Sequence, residues 1–227
     1  MHVNRSNADI VAGKSGKKRD RTMELKWLEW AKQMQAIAQT GLTYTKDVYD
    51  IERYEQLRQM SIEIMMNYTS VSQEKVALTF ASDSGYATPK VDIRGVVFKE
   101  NKILLVREKL DGAWALPGGW ADIGYSPSEI AVKEIKEESG FDVVPVRLLA
   151  VLDKKFHDHP PEPYHIYKFF IQCKIVGGEA TGGVETSEVD FFEHDQLPEL
   201  SAERNTKKQI QTMYEYLENP NKEIILD

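Results

Sequence analysis

A single cysteine, Cys173, occurs in the 227 residues. It excludes an intrachain disulfide and suits a reducing, cytoplasmic setting. No apolar run approaches the roughly 20 residues that a bilayer crossing needs, and the first residues lack the apolar segment of a secretory signal. The chain has no Gly-x-Ser-x-Gly elbow, which argues against a Ser-His-Asp hydrolase. It has no Cys pair to complete a zinc site around His157-Asp158-His159, because two nearby imidazoles fill half of a tetrahedral shell. That proline-stiffened stretch reads instead as a loop bordering a pocket, with His157 facing a ligand.

The remaining composition is that of a globular chain, 41% hydrophobic and 29% charged. Net charge is −7, unevenly spread. The first 22 residues carry six Lys or Arg and two Asp or Glu; the rest carries 23 against 34. An acidic body repels polyanions at long range and disfavours bulk nucleic-acid binding. A small anionic ligand would need cations and a few local basic groups.

Three segments follow from pattern. Residues 1–22 have no sustained periodicity and read as a disordered basic tail. Residues 23–80 read as a small helical domain. In 24–40, Trp27, Trp30, Ala31, Met34, Ile37 and Ala38 share a helical face, and Gly41 closes the helix. In 46–68, Ile51, Tyr54, Leu57, Ile64 and Met65 recur at helical spacing, and a shorter helical piece spans 71–80. A short link between two amphipathic helices predicts an antiparallel hairpin. Its Trp and Met surface needs cover, so a homodimer through this hairpin is expected. Residues 81–85 form a polar linker.

Residues 86–227 read as a second domain. Val91, Ile93, Val96 and Val97 begin a strand, Lys99–Lys102 turns the chain and Ile103–Val106 returns it. Residues 141–152 and 188–192 read as strands. Along 165–175, His165, Tyr167, Phe169, Ile171, Cys173 and Ile175 alternate to one side, making Cys173 an inert core thiol. Ile210, Met213, Tyr214 and Leu217 mark a C-terminal helix. Strands interrupted by two coverable helices predict an α/β/α sandwich with a mixed sheet, preceded by the small helical domain.

The chemistry concentrates in Pro117–Phe141, PGGWADIGYSPSEIAVKEIKEESGF. Ser126-Pro127-Ser128-Glu129 is a helix start with a capping box, and Gly140 is a stop. Ala131, Val132 and Ile135 form the apolar stripe. Glu134, Glu137 and Glu138 form a second stripe beside it, with Lys133 and Lys136 elsewhere. Acidic groups in a last turn oppose the helix dipole by about 0.3–1 kcal/mol each, and at i, i+3, i+4 they repel one another. A hard divalent cation relieves both, whereas a solvated acidic face does not need Leu116-Pro117-Gly118-Gly119 at a strand end.

With Gly119 as origin, Glu134, Ile135, Glu137, Glu138, Gly140 and Phe141 stand at the spacing of the Nudix box, which the segment resembles. Two positions depart: Tyr125 stands where that box has its first Glu, and Lys133 where it has Arg. A Tyr125 hydroxyl near Lys133 is the expected substitute for that pair. The resemblance implies the α/β/α fold over about residues 88–218 and a metal-dependent cleavage of a nucleoside diphosphate linked to another group. It implies Mg²⁺ or Mn²⁺ held by Glu134, Glu137, Glu138 and the Gly118 carbonyl, with Gly119 against the substrate. It also implies a further glutamate on a later loop, as ligand or base, alongside Glu137. Glu185 is the first candidate and Glu188 the second. Arg107 stands where the family places a phosphate contact, with an ion pair as the alternative. His165 and Tyr167 either line the pocket or fill the core.

Residues 27–57 resemble the helical extension of a bacterial Nudix subgroup active on CDP-choline, with 3′→5′ RNA exonuclease action. The resemblance therefore implies release of CMP and phosphocholine, a nucleotide partner and, secondarily, RNA 3′ ends. A quaternary ammonium suits an aromatic cage, and Trp114, Trp120, Tyr125, Tyr164 and Tyr167 offer rings. An ADP-ribose or nucleotide-sugar pyrophosphatase is the near alternative. A nucleotide-sensing module without turnover is the alternative of another class.

Overall fold

The structure is a computed structural model that describes residues 26–68, 76 and 81–227. The expected basic tail, and all of the expected 71–80 helical piece except Val76, lie outside the described residues.

Helices α1 (Lys26–Tyr44) and α2 (Val48–Tyr68) form the hairpin. Asp47 starts α2 by accepting the Tyr49 N–H at 2.9 Å. Gly41 does not end α1; the helix runs one turn further. A Cβ at Gly41 would collide with the Tyr54 ring, so this glycine lets two helices approach. The buried face overlaps the expected one at Ala31, Ala38 and Met65. Leu28, Ala31, Gln35, Ala38 and Gln39 are buried on α1, and Ser61, Ile62 and Met65 on α2. Trp30, Ile37 and Ile51 are exposed. The periodicity located the apolar stripe, but α2 covers only part of it.

Strands β1 (Lys90–Lys99) and β2 (Lys102–Glu108) form the expected hairpin, turned by Glu100 and Asn101 at positive φ. Then come β3 (Trp114–Ala115), β4 (Gly118–Trp120), helix α3 (Pro127–Ser139), β5 (Phe141–Asp153), β6 (Ile166–Gly178), β7 (Thr186–Phe192), helix α4 (Lys207–Glu218) and β8 (Ile225–Leu226). The sheet order is β3-β2-β1-β6-β5-β8, with β4 paired to β1 and β7 to β2. It is mixed, because β1 runs parallel to β6 and β5 to β8.

Each sheet face buries a separate core, which is why the strands read as near-continuous apolar runs. Ile93, Val97, Leu104, Ile171 and Cys173 pack with Ile130, Ala131 and Ile135 of α3. Val96, Ile103, Leu105 and Phe170 pack with Ile210, Met213 and Tyr214 of α4. The α/β/α sandwich is therefore as expected. The α4 start adds an unforeseen capping box between Thr206 and Gln209. Gly95 on β1 lets α3 sit close, since a Cβ there would lie 2.6 Å from Ile135 Cγ1. Among the described residues no helix is long and apolar enough to cross a membrane.

Candidate active site

Local sequence fixes α3 at both ends. Ser126 Oγ accepts the Glu129 N–H, Glu129 Oε2 accepts the Ser126 N–H at 2.8 Å, and Pro127 opens the helix. Gly140 ends it at φ 77°. The inward face is Ile130, Ala131 and Ile135, with Val132 half-buried. This register turns Glu138 inward as well. Its side chain is buried, and Oε2 accepts the Gly118 N–H at 2.9 Å. Glu134 is half-buried on the same side, with Oε2 3.2 Å from where a Gly119 Cβ would stand. Two carboxylates thus flank Gly118-Gly119; a side chain at Gly119 would crowd Glu134, and one at Gly118 would run into the β1 backbone. Glu137 is exposed and lies 3.8 Å from Lys133.

Lys133 Nζ lies 3.1 Å from Asp122 Oδ2 and 3.4 Å from Glu134 Oε1. Asp122, rather than Tyr125, is therefore its partner; Tyr125 is exposed. The contact holds Glu134 from outside, and the Asp122 hydrogen bond and the Glu134 charge raise the Lys133 pKa. Burial raises Glu134 despite Lys133. Burial also pushes Glu138 up to about 8; Arg94 and the Gly118 N–H oppose the rise, and Glu108 and Glu134 add to it.

A buried carboxylate held against its own charge, beside a half-buried second one, is a hard-oxygen donor pair that fits a divalent cation. Among the described residues no three His, Cys, Asp or Glu side chains converge as a metal cluster. The fit therefore rests on Glu134 and Glu138, with backbone, water or phosphate oxygens left to complete a shell.

The later loop reaches the same place. Thr181 N–H binds the Ser139 carbonyl, and Thr186 Oγ1 donates to the Glu138 carbonyl at 2.6 Å. Lys109 Nζ donates to the Gly183 and Val184 carbonyls at 2.9 Å. This seats 181–186 on the end of α3; burial raises the pKa of Glu108, and the charge of the exposed Glu185 adds a little to the rise. Glu188 pairs instead with Arg107 across β7 and β2, at 2.7 Å. Trp114 packs edge-on to Phe192 against the α4 core. His157 binds Asp227 at 2.8 Å. His165 binds Asp153 at 2.9 Å and meets the Tyr167 ring edge-on; both sit at the surface end of β6 rather than in the core. Trp120, next to Gly119, faces Tyr164 at 6.5 Å between centroids.

A buried ionic group that helical and strand periodicity does not report lies beside the glycines, on β1 and β6. Arg94 grips Asp92 through Nε and Nη2, at 3.1 and 2.8 Å, and Lys168 also binds Asp92. Burial works against the Asp92 charge, yet Arg94 and Lys168 hold its carboxyl below the usual range. Glu108 Oε1 lies 2.6 Å from Arg204 Nε, close but poorly angled for a hydrogen bond. The signal was present in VDIRGVVF: two charges of equal parity inside an apolar strand buried on both faces.

Residues 88–214 match the family model described as the NUDIX domain, and 25–80 match the one described as a UDP-X-like, N-terminal oligomerisation domain. A Bacillus subtilis (strain 168) protein, provisionally named an ADP-ribose pyrophosphatase, is 52% identical over 205 residues, covering 90% of this chain and 99% of its own. A crystal structure of a UDP-X diphosphatase is 38% identical with TM-score 0.58, covering 90% of this chain and 99% of its own. An ADP-ribose pyrophosphatase structure from Streptococcus suis 89-1591 is 41% identical with TM-score 0.57, covering 62% and 100%.

Proposed function

The chain belongs to the Nudix hydrolase family, as a pyrophosphohydrolase of nucleoside diphosphates linked to a further group, and we propose that Glu134 and Glu138 at the Gly118-Gly119 turn carry that hydrolysis. The observation that carries the proposal is the buried Glu138 carboxylate on the Gly118 N–H, with Glu134 beside it.

A bound Mg²⁺ or Mn²⁺ would supply charge neutralisation at the phosphates and a more acidic attacking water. Glu134 and Glu138 would hold it, with the Gly118 carbonyl as a further donor. Lys133 and Asp122 keep Glu134 from swinging to solvent. The bare Gly119 backbone lets a diphosphate approach closely. Glu137, exposed on the same helix, and Glu185, on the loop seated at the end of α3, are the candidates for accepting the water's proton. Glu188 is the weaker candidate, since Arg107 already engages it, and that pair leaves Arg107 a phosphate contact only if the pair opens.

The leading substrate is an ADP-ribose-type nucleotide, a choice supported by the full-length relative. CDP-choline is the second reading. It is supported by the exposed Trp120 ring beside Tyr164, with Lys90 over the Tyr164 face at 4.8 Å, one strand residue from Gly119. His157, His165 and Tyr167 lie on the loop and strand entering that region, and Trp114 is a packing residue unless a ligand displaces it. Chromatography of products from ADP-ribose, a UDP-sugar, CDP-choline and a short RNA, with Mg²⁺ or Mn²⁺, tests this. AMP from ADP-ribose supports the first reading, and CMP from CDP-choline alone supports the second. Shortening of RNA adds the exonuclease action, and tight binding of every nucleotide without turnover marks a sensor.

The protein assembles as a homodimer through α1 and α2 in this reading. Support comes from the oligomerisation family model and from the exposed Trp30, Ile37, Tyr44, Val48, Tyr49 and Ile51.

A further inference from the structure

The Gly118 N–H meets Glu138 only if the backbone before it is held in place. Glycine loses the most conformational freedom on ordering, and Gly118 takes φ 149°. Four successive polar groups of this backbone have partners from three different parts of the chain: β1, α3 and the loop before α4. Leu116 N–H donates to Asn205 Oδ1 at 2.9 Å. Leu116 C=O accepts from Arg94 Nη1 at 3.1 Å. Pro117 has no N–H, and its C=O accepts from Gly95 N–H at 2.8 Å. Gly118 N–H donates to Glu138 at 2.9 Å.

Besides Glu138 itself, two of these partners are side chains. Arg94 is buried and cannot rotate freely, because two of its nitrogens grip Asp92, which also binds Lys168, its register partner on β6. Asn205 is fully buried just before α4. Its loop is tied to β3 by Trp114 N–H to Glu199 C=O and by Ser201 N–H to Trp114 C=O, both below 3 Å. The Leu116 backbone is therefore gripped at its N–H by the loop before α4 and at its C=O by β1.

We propose that Arg94 and Asn205 are positioning residues that fix the Leu116 backbone from both sides and so place the glycine turn against Glu138 for catalysis. The proposal rests on the functional reading above and goes beyond it, since neither residue lies in the acidic helix or touches the substrate edge. Loosening either grip lets the turn drift, and drift separates Gly118 from Glu138 before it unfolds anything.

The test uses the full chain with Asn205→Ala, Arg94→Lys and the double variant, and with Leu149→Val as a packing control in the α4 core. Mn²⁺ alone is titrated and followed by electron paramagnetic resonance, and kcat and KM are measured on the nucleotide that the panel identifies. Each single variant is expected to weaken Mn²⁺ binding and lower kcat about tenfold, the usual effect of removing a residue that orients a ligand, with KM within about twofold. The double variant should lose little more than the worse single, because both hold the backbone of one residue. Leu149→Val should lower the melting temperature and leave Mn²⁺ affinity and kcat alone. Wild-type Mn²⁺ affinity in Asn205→Ala and Arg94→Lys, or losses that multiply in the double variant, would overturn the proposal. Should Arg94→Lys fail to fold, Asn205→Ala alone decides. A wild-type protein inert on every nucleotide sinks the functional reading instead, and the Mn²⁺ comparison still decides this one.

Discussion

Lys133 Nζ reaches Asp122 Oδ2 at 3.1 Å, across the loop that leads into the acidic helix. The pair occupies the place of the box's usual Glu–Arg contact, one partner having moved three residues back from Tyr125. Lys133 also lies 3.4 Å from Glu134, so this exposed contact matters less for stability than for orientation. Asp122→Asn and Lys133→Met should each lower kcat by about tenfold, with Tyr125→Phe unchanged. Steady-state kinetics decide it. A Tyr125→Phe loss equal to that of Asp122→Asn would return the role to the tyrosine.

Gly118 tolerates no side chain. It adopts φ 149°, and a Cβ would run into the Ile93 carbonyl and lie 2.9 Å from Arg94 Cα. Gly118→Ala should destabilise the fold by about 1–3 kcal/mol, the usual cost of forcing atoms into packed space. It should also abolish turnover at temperatures where the variant is still folded. Urea unfolding and kinetics on the same preparation read both; an active, stable Gly118→Ala contradicts the close approach.

Cys173 is buried, and burial pushes its thiol pKa up to about 12. Only a trace of thiolate exists near neutral pH, and it is enclosed. An aromatic disulfide reagent at pH 8 should label the thiol only after denaturant is added, and Cys173→Val should keep full activity. Rapid labelling of native protein would place the residue at a surface.

Trp30 and Ile37 project from α1 at half exposure or more, while Gln35 and Gln39 are buried. In a homodimer that exposed stripe is covered. Light scattering should give a dimer for the wild type and a monomer for Trp30→Asp with Ile37→Asp. A wild-type monomer at micromolar concentration refutes the assembly.

That same stripe shows where sequence reading stops. Periodicity found both N-terminal helices, because helical spacing is local. It placed Ala31, Ala38 and Met65 inside but not the limit of the hairpin's own cover, because α2 covers only part of the stripe and leaves Trp30, Ile37 and Ile51 exposed. The ends of the acidic helix were legible in Ser126, Glu129 and Gly140, and spacing placed Glu134, Glu137 and Glu138 in one stripe. Glu137, one position from Glu138, points to solvent beside Lys133. The Arg107–Glu188 pair, Asn205 on Leu116 and the Arg94 grip join residues from 22 to 89 positions apart. Such contacts depend on sheet register, which no local pattern reports. β8 was missed for a simpler reason: two strand residues carry no periodicity.

Substituting Glu138→Gln tests the centre of the account most directly. Glutamine keeps an oxygen for the Gly118 N–H and removes only the buried charge, so the fold should survive with a melting temperature no lower than that of the wild type in metal-free buffer. Turnover of the best nucleotide in Mg²⁺ or Mn²⁺ should fall at least about a hundredfold, and a chelator should silence the wild type to a similar degree. Activity in Glu138→Gln close to that of the wild type, or wild-type hydrolysis indifferent to the chelator, would contradict it.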